Sequence, residues 1–173
     1  MTQAFLDQVA AFADAHINPA ASEWSMGASP DQAVYEMAGQ LGILGMQVPQ
    51  KLGGLGLDFA TRASACSILA GADFGFAMSL INTHNIALRL GEIAPDALCQ
   101  RYVPALLRGT MSACTALSEP GTGSDFAAVS SLATQTDTGW VLNGEKTWII
   151  NGRHAGLSIV YAQCNTPGDS NGI

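Results

Sequence analysis

Near residue 111 the hydrophobic pattern of this chain changes period, and that change divides what it can fold into. Upstream, apolar residues recur at helical spacing. Phe5, Val9, Phe12 and Ala13 predict an amphipathic helix over about residues 3–16, ended by Asn18-Pro19. Ser29-Pro30-Asp31 reads as a second start, with Ser29 as N-cap and Pro30 in the first helical position. That helix runs to Gly42 with Ala33, Met37 and Leu41 on one face. Pro49 to Asp58 is a glycine-rich loop that demands special backbone angles or close packing. Asp58 caps a helix over about 59–73, and Phe74 to Leu90, apolar on all sides, predicts a buried one. Pro95 and Asp96 open a last helix over about 96–108, with Gly109 as C-cap.

Downstream, short β-prone runs at 112–117, 126–134, 139–142, 145–150 and 157–163 alternate with turns, and Asp137-Thr138-Gly139 and Asn143-Gly144 are hairpin signals. The expected class is α+β: an all-α domain over 1–110, then an incomplete antiparallel β-barrel-like domain over 111–173. About five strands trail into the turn-rich stretch Asn165–Gly172, so the β unit looks unfinished at its edges.

Composition narrows the function. The chain is 48% hydrophobic and 12% charged, against about 25% charged in ordinary domains. So quiet a surface implies cover by another domain or subunit. The net charge is −7, and the seven Lys and Arg residues are scattered. No basic stripe exists to neutralise a nucleic-acid backbone or an anionic membrane surface. Cys66, Cys99, Cys114 and Cys164 show neither zinc-site nor disulfide spacing, which predicts buried free thiols in a reducing compartment. The acidic N-terminus lacks the charge pattern of a secretory signal, and no apolar run is long enough to span a membrane. A cytoplasmic location follows as the expectation.

The chemistry concentrates in two stretches. Ser118-Glu119-Pro120-Gly121-Thr122-Gly123-Ser124-Asp125 follows a predicted strand; its glycines let backbone amides approach a ligand, and its side chains offer hydroxyls and carboxylates. Asn143-Gly144-Glu145-Lys146-Thr147-Trp148-Ile149-Ile150-Asn151-Gly152 places an indole and an Asn-Gly turn at a predicted strand end. A glycine run of the first kind is common in ordinary turns, but here the two occur in order. The first resembles the Thr-Glu-Pro-Gly-x-Gly-Ser-Asp segment of the acyl-CoA dehydrogenase family, and the second its Trp-Ile-Thr-Asn-Gly segment. The loop Val48 to Asp58 and the stretch Arg101-Tyr102-Val103-Pro104 resemble further parts of that family, so the likeness spans essentially the whole chain.

The resemblance implies FAD as cofactor. Thr115, Ala116, Leu117 and Ser118 are then expected along the flavin ring, Gly123 and Ser124 in the cofactor loop, and Trp148, Ile149 and Ile150 against the isoalloxazine. Ser124 is also expected to meet the acyl thioester. Ser118 stands where the family has Thr and keeps the hydroxyl. Ile150 stands where the family has Thr or Ser, so only a backbone N–H remains there for the reactive flavin nitrogen. Phe76, Met78, Leu80 and Ile81 fit either an acyl pocket or plain helix-bundle core. Trp24 and Trp140 read as packing residues, His84 as a core histidine, and His16 and His154 have no assigned role.

The resemblance further implies α,β-dehydrogenation of an acyl-CoA or acyl-carrier thioester, electron transfer to an acceptor such as an electron-transferring flavoprotein, and homo-oligomers. The family's base is a carboxylate of a C-terminal helical domain, and Glu119 is structural. The expectation is therefore no catalytic residue, no metal, no turnover by this chain alone, and weak hold on FAD. A flavin monooxygenase or oxidase on the same fold, and a non-catalytic subunit of a hetero-oligomer, are the alternatives.

Overall fold

The computed structural model describes residues 2–166 and 169–172, with side chains to Cys164. Helix α1 (Thr2–Phe12) buries Phe5, Val9 and Phe12 and continues through one wide turn over Ala13–Ile17. After the short α2 (Ala21–Ser25) comes α3 (Gln32–Gln40). Its cap is not Ser29 but Asp31, whose Oδ1 accepts from Ala33 N at 3.1 Å. A carboxylate is the stronger cap for the positive end of a helix. Asp58 caps α4 (Phe59–Ala72) through Thr61 N at 2.7 Å. Asp73 ends α4 and caps α5 (Phe74–Ile93) through Phe76 N at 2.6 Å. Helix α6 (Asp96–Leu107) follows, and Gly109 takes a left-handed φ of 74°. The loop before Asp58 folds back on itself, with Leu55 N bonded to Gly45 O and Leu57 N to Met46 O.

Helix α5 is not buried on all sides, since Phe74, Asn85 and Arg89 are exposed. Its buried face joins two apolar clusters. The first holds Phe5, Val9, Phe12, Leu69, Phe76 and Leu80. The second holds Val48, Ile86, Leu90, Val103, Leu106 and Ala113, and so reaches into the β region.

That region begins with β1 (Ala113–Ala116), which pairs in parallel with β4 (Leu157–Val160), Ala113 opposite Leu157. A second sheet has the order β3-β2-β5-β6, from β2 (Leu132–Thr136), β3 (Gly139–Asn143), β5 (Gln163–Thr166) and β6 (Asp169–Gly172). The helical-then-β class holds and neither sheet closes, but β1–β4 and β2–β5 are parallel, so the β region is mixed rather than antiparallel. The 137–138 turn closes the β2–β3 hairpin as expected. Other expectations fail. Residues 126–128 form a turn of 3-10 helix, and 145–150 form no strand. The supposedly turn-rich end contains β5 and β6, while Pro167, Gly168 and Ile173 lie outside the described residues. Cys99 and Cys114 are buried, but Cys66 is half-buried and Cys164 exposed; all are free thiols.

Candidate functional site

The two motifs converge where β1 leaves its sheet. Thr147 N donates to Ser118 O at 2.9 Å, and Lys146 Nζ donates to Leu117 O at 3.0 Å. The predicted strand at 145–150 is instead an extended passage that turns sharply. Trp148 and Asn151 take left-handed φ angles of 55° and 65°, which no continuous strand accommodates. The turn leaves Trp148 90% exposed and half-exposes Ile150. Thr115 is half-buried, Ala116 buried, Leu117 and Ser118 half-buried, Ile149 half-buried, and Gly123 and Ser124 exposed.

The glycine-rich stretch is a tight loop held at its neck. Glu119 N donates to Thr122 O at 2.9 Å, and Thr122 N returns to Glu119 O at 3.1 Å. A Cβ added to Gly121 or Gly123 would meet nothing within 4 Å, so the protein leaves open space beside both. Among the described residues, the backbone N–H groups of Ser124, Trp148 and Ile150 have no partner. A planar ring with acceptor atoms on its edge fits an exposed indole beside unclaimed amides and an open glycine loop. That is the fit required of an isoalloxazine.

Glu119 itself is committed elsewhere. Its Oε1 accepts from Ser131 N at 2.9 Å, Ser131 Oγ at 2.6 Å and Lys146 Nζ at 2.7 Å. Its Oε2 accepts from Ser130 N and Ser130 Oγ, both at 2.6 Å. Lys146 first, then the two serines, hold this carboxyl far below the usual carboxylate range. Glu119 is thus a cross-brace, charged at neutral pH, between the loop, the start of β2 and the Trp148 turn. At Gly144 (φ 154°) a Cβ would collide with Ser131, so the chain can cross the brace only as glycine.

A second polar network ties the turn to the helices. Asn151 Nδ2 donates to Ser79 O at 3.0 Å and Ala113 O at 3.0 Å, and its Oδ1 accepts from Ser79 Oγ at 2.6 Å. Asn82 Nδ2 donates to Ile150 O at 3.3 Å, while its Oδ1 accepts from Thr115 Oγ1 at 3.1 Å. Sequence reasoning quoted Lys146 and Asn151 within the second motif without a bracing role, and passed over Asn82, Ser79, Ser130 and Ser131. The polar run Asn82-Thr83-His84-Asn85 inside an apolar helix was the available signal.

Behind the turn lies an open cavity of ≈ 540 Å³, lined among others by Trp24, Tyr35, Phe76, Ser79 and Ile149. Trp24 packs on Phe76 at 4.8 Å between ring centroids, but Trp140 is 54% exposed and packs no core. Phe76 and Leu80 are buried in the first cluster. His84 is fully buried; its Nε2 accepts from Gln47 N at 3.2 Å, and burial together with nearby Arg62 lowers its pKa to about 4. Among the described residues no group of His, Cys, Asp and Glu is arranged to hold a metal, and no helix is long and apolar enough to cross a membrane.

Comparison with known proteins matches this geometry to a family. Residues 1–110 match the acyl-CoA dehydrogenase N-terminal domain, and residues 114–173 the acyl-CoA dehydrogenase middle domain. The chain belongs to the acyl-CoA dehydrogenase family. It is 34% identical over 167 residues to the short-chain specific acyl-CoA dehydrogenase of Mus musculus mitochondria, covering 94% of this chain and 40% of that protein. Among solved structures it resembles the butyryl-CoA dehydrogenase of Megasphaera elsdenii, with TM-score 0.86 and 29% identity over 95% of this chain and 44% of that one. It also resembles a glutaryl-CoA dehydrogenase of Mycobacterium smegmatis in complex with FADH2, with TM-score 0.89 and 27% identity over 95% of this chain and 42% of that one. The chain therefore spans about two-fifths of the length of these relatives.

Proposed function

We propose that this chain carries the flavin-facing half of an FAD-dependent acyl-CoA dehydrogenase site. The observation that carries the reading is the convergence of β1 with the Trp148 turn, which brings Thr115, Ser118, Trp148 and Ile150 together beside the open Gly121–Gly123 loop. FAD, when bound, supplies the acceptor for the hydride leaving an acyl thioester. The residues of the chain bind and orient it. Trp148 offers its indole face to the isoalloxazine, and the amides of Ser124 and Ile150 offer N–H groups to acceptor atoms on the ring. Leu117 and Ala116 supply the strand against which the ring lies, and Ser118 and Ser124 supply hydroxyls. Ile149 holds the turn from within. Ser124 also meets the thioester, at the mouth of the loop.

Glu119 is not the base that takes the α-proton: a carboxylate held ionised by Lys146 and four further donors has no tendency to accept one. Catalysis then requires a carboxylate supplied to this face by another element, and the low charge of the chain supports such cover. Ile150 keeps only its backbone N–H for the flavin, which favours an acceptor preference distinct from relatives with a hydroxyl there. An acyl-CoA or acyl-carrier thioester as substrate, an electron-transferring flavoprotein as acceptor, a homo-oligomer and a cytoplasmic location belong to the same proposal.

Titration of the purified chain with FAD, followed by a dye-reduction assay with acyl-CoAs, tests it. Weak, reversible perturbation of the flavin spectrum without turnover is expected. Sustained dye reduction by this chain alone would refute the half-site reading, and an unperturbed spectrum at saturating FAD would refute the cofactor reading.

A further inference from the structure

We propose that Asn82, on α5 and outside both glycine motifs, is the positioning residue of the flavin face: its single amide locks Ile150 and Thr115 together and leaves the Thr115 hydroxyl able only to accept a hydrogen bond from the cofactor. The proposal rests on the reading of this face as an FAD site.

The argument is one of donor and acceptor inventory. The Ile150 carbonyl oxygen can only accept, so the Asn82 atom facing it at 3.3 Å is the amide nitrogen. That fixes the orientation of the side chain and turns Oδ1 towards Thr115 Oγ1, 3.1 Å away. An amide oxygen cannot donate, so the only proton of the Thr115 hydroxyl points at Asn82. What Thr115 retains is lone pairs. A ring lying on β1 can give this hydroxyl an N–H and receive nothing from it.

The assignment is reinforced from the next residue. Asn151 is held by Ser79 and Ala113, and Ser79 Oγ lies 3.1 Å from Tyr35 OH. Because Ser79 Oγ donates to Asn151 Oδ1, Tyr35 must be the donor in that pair. One chain of hydrogen bonds therefore runs from Tyr35 through Ser79 to Asn151, and a separate one from Thr115 through Asn82 to Ile150, so both end on the turn. Helix α5 thereby sets the spacing of the two edges that meet the flavin, although it contributes no atom to the ring.

An isoalloxazine gains ring N–H groups on two-electron reduction. A hydroxyl restricted to accepting favours that reduced form over one free to rotate and donate. Releasing the restriction should therefore shift the ratio of affinities for oxidised and reduced FAD.

The test uses Asn82→Leu, Thr115→Val and the double variant of the purified chain. Independently of any flavin, hydrogen exchange at the amides of Thr147 and Gly152, bonded to Ser118 O and Ile149 O on either side of the clamped residue, should quicken about tenfold in Asn82→Leu, with the interior of α5 equally protected. Unchanged exchange in the turn would overturn the clamp, and this arm decides even if the parent chain leaves FAD unperturbed, a result that would sink the flavin reading separately. With FAD bound, the preference for the reduced over the oxidised form should fall about three- to tenfold in each single variant and no further in the double variant. A tenfold fall is about 30 mV for a two-electron couple. Additive effects, or an unchanged preference in Asn82→Leu, would overturn the role assigned to Thr115.

Discussion

Lys146 Nζ sits 2.7 Å from Glu119 Oε1, with the two side chains only 12% and 3% exposed. The pair lies between the glycine loop and the Trp148 turn, so it sets how the motifs approach each other. Its removal is asymmetric. Lys146→Met leaves a buried anion with its serine donors and should cost about 3 kcal/mol, the low end for breaking a buried pair. Glu119→Gln turns an amide NH2 towards groups that are themselves donors and should cost at least as much. Urea unfolding of the two variants and the double variant measures this; a coupling near zero would show that the pair does not brace the motifs.

Acid should weaken the fold in two stages. The pKa of His84 is about 4 in the native chain against 6.5 ordinarily, so the unfolded chain binds a proton that the folded one refuses. The stability tied to His84 is whole above pH 6.5 and declines as pH falls towards 4, by about 3 kcal/mol in total. Glu119, with a lowered pKa, adds a second loss below the ordinary carboxylate range as it is forced to protonate. Denaturant midpoints between pH 7 and pH 4 should fall for the parent and stay flatter for His84→Gln. An NMR titration giving His84 an ordinary midpoint would remove the basis for the first stage.

Asn151 combines a left-handed backbone with buried amide bonds, and substitutions separate the two. Asn151→Gly keeps the backbone angle and should lose about 2 kcal/mol from unpaired partners. Asn151→Ala should lose about 1 kcal/mol more, because a Cβ is disfavoured there. Asn151→Asp should be the worst, with a carboxylate facing the carbonyls of Ser79 and Ala113. Equal stability of the Gly and Ala variants would mean that the turn relaxes.

The thiols should react in the order of their exposure. Cys164 is exposed and should alkylate first; Cys66 is half-buried, and burial raises its pKa, so it should lag. Cys99 and Cys114 should label only on unfolding. Mass spectrometry of peptides after timed iodoacetamide treatment gives the order directly.

Much of this was legible in the chain. Helical spacing located α1 through Phe5, Val9 and Phe12, and Asp58 announced α4 because a carboxylate before an apolar run has one obvious use. The Asp137-Thr138 turn marked its hairpin because its chemistry is local. The failures share a cause. Thr147-Trp148-Ile149-Ile150 has strong β propensity, yet Asn151 is captured by Ser79 of α5, 72 residues upstream, and the run bends to meet it. The parallel partners of β1 and β2 were equally invisible, because pairing direction is decided by tertiary connection rather than by neighbouring residues. Ser29 lost to Asp31 in a contest between two good caps two residues apart. Of the site, the glycine loop and the Trp148 run were readable as motifs, whereas the bonds from Asn82 and Lys146 that tie them together depend on three-dimensional proximity.

Helix α5 gives one side of its length to the cluster beneath α1 and the other end to the cluster that contains Ala113. The helical and β regions thus draw on one shared structural member, and neither can shed its apolar contacts without exposing some of the other's. Such sharing makes the two regions a single cooperative unit despite the change of period at their junction. The Trp148 turn is anchored through Ser79 and Asn82 to a helix with a long buried face, although Trp148 and Ile150 themselves stand exposed.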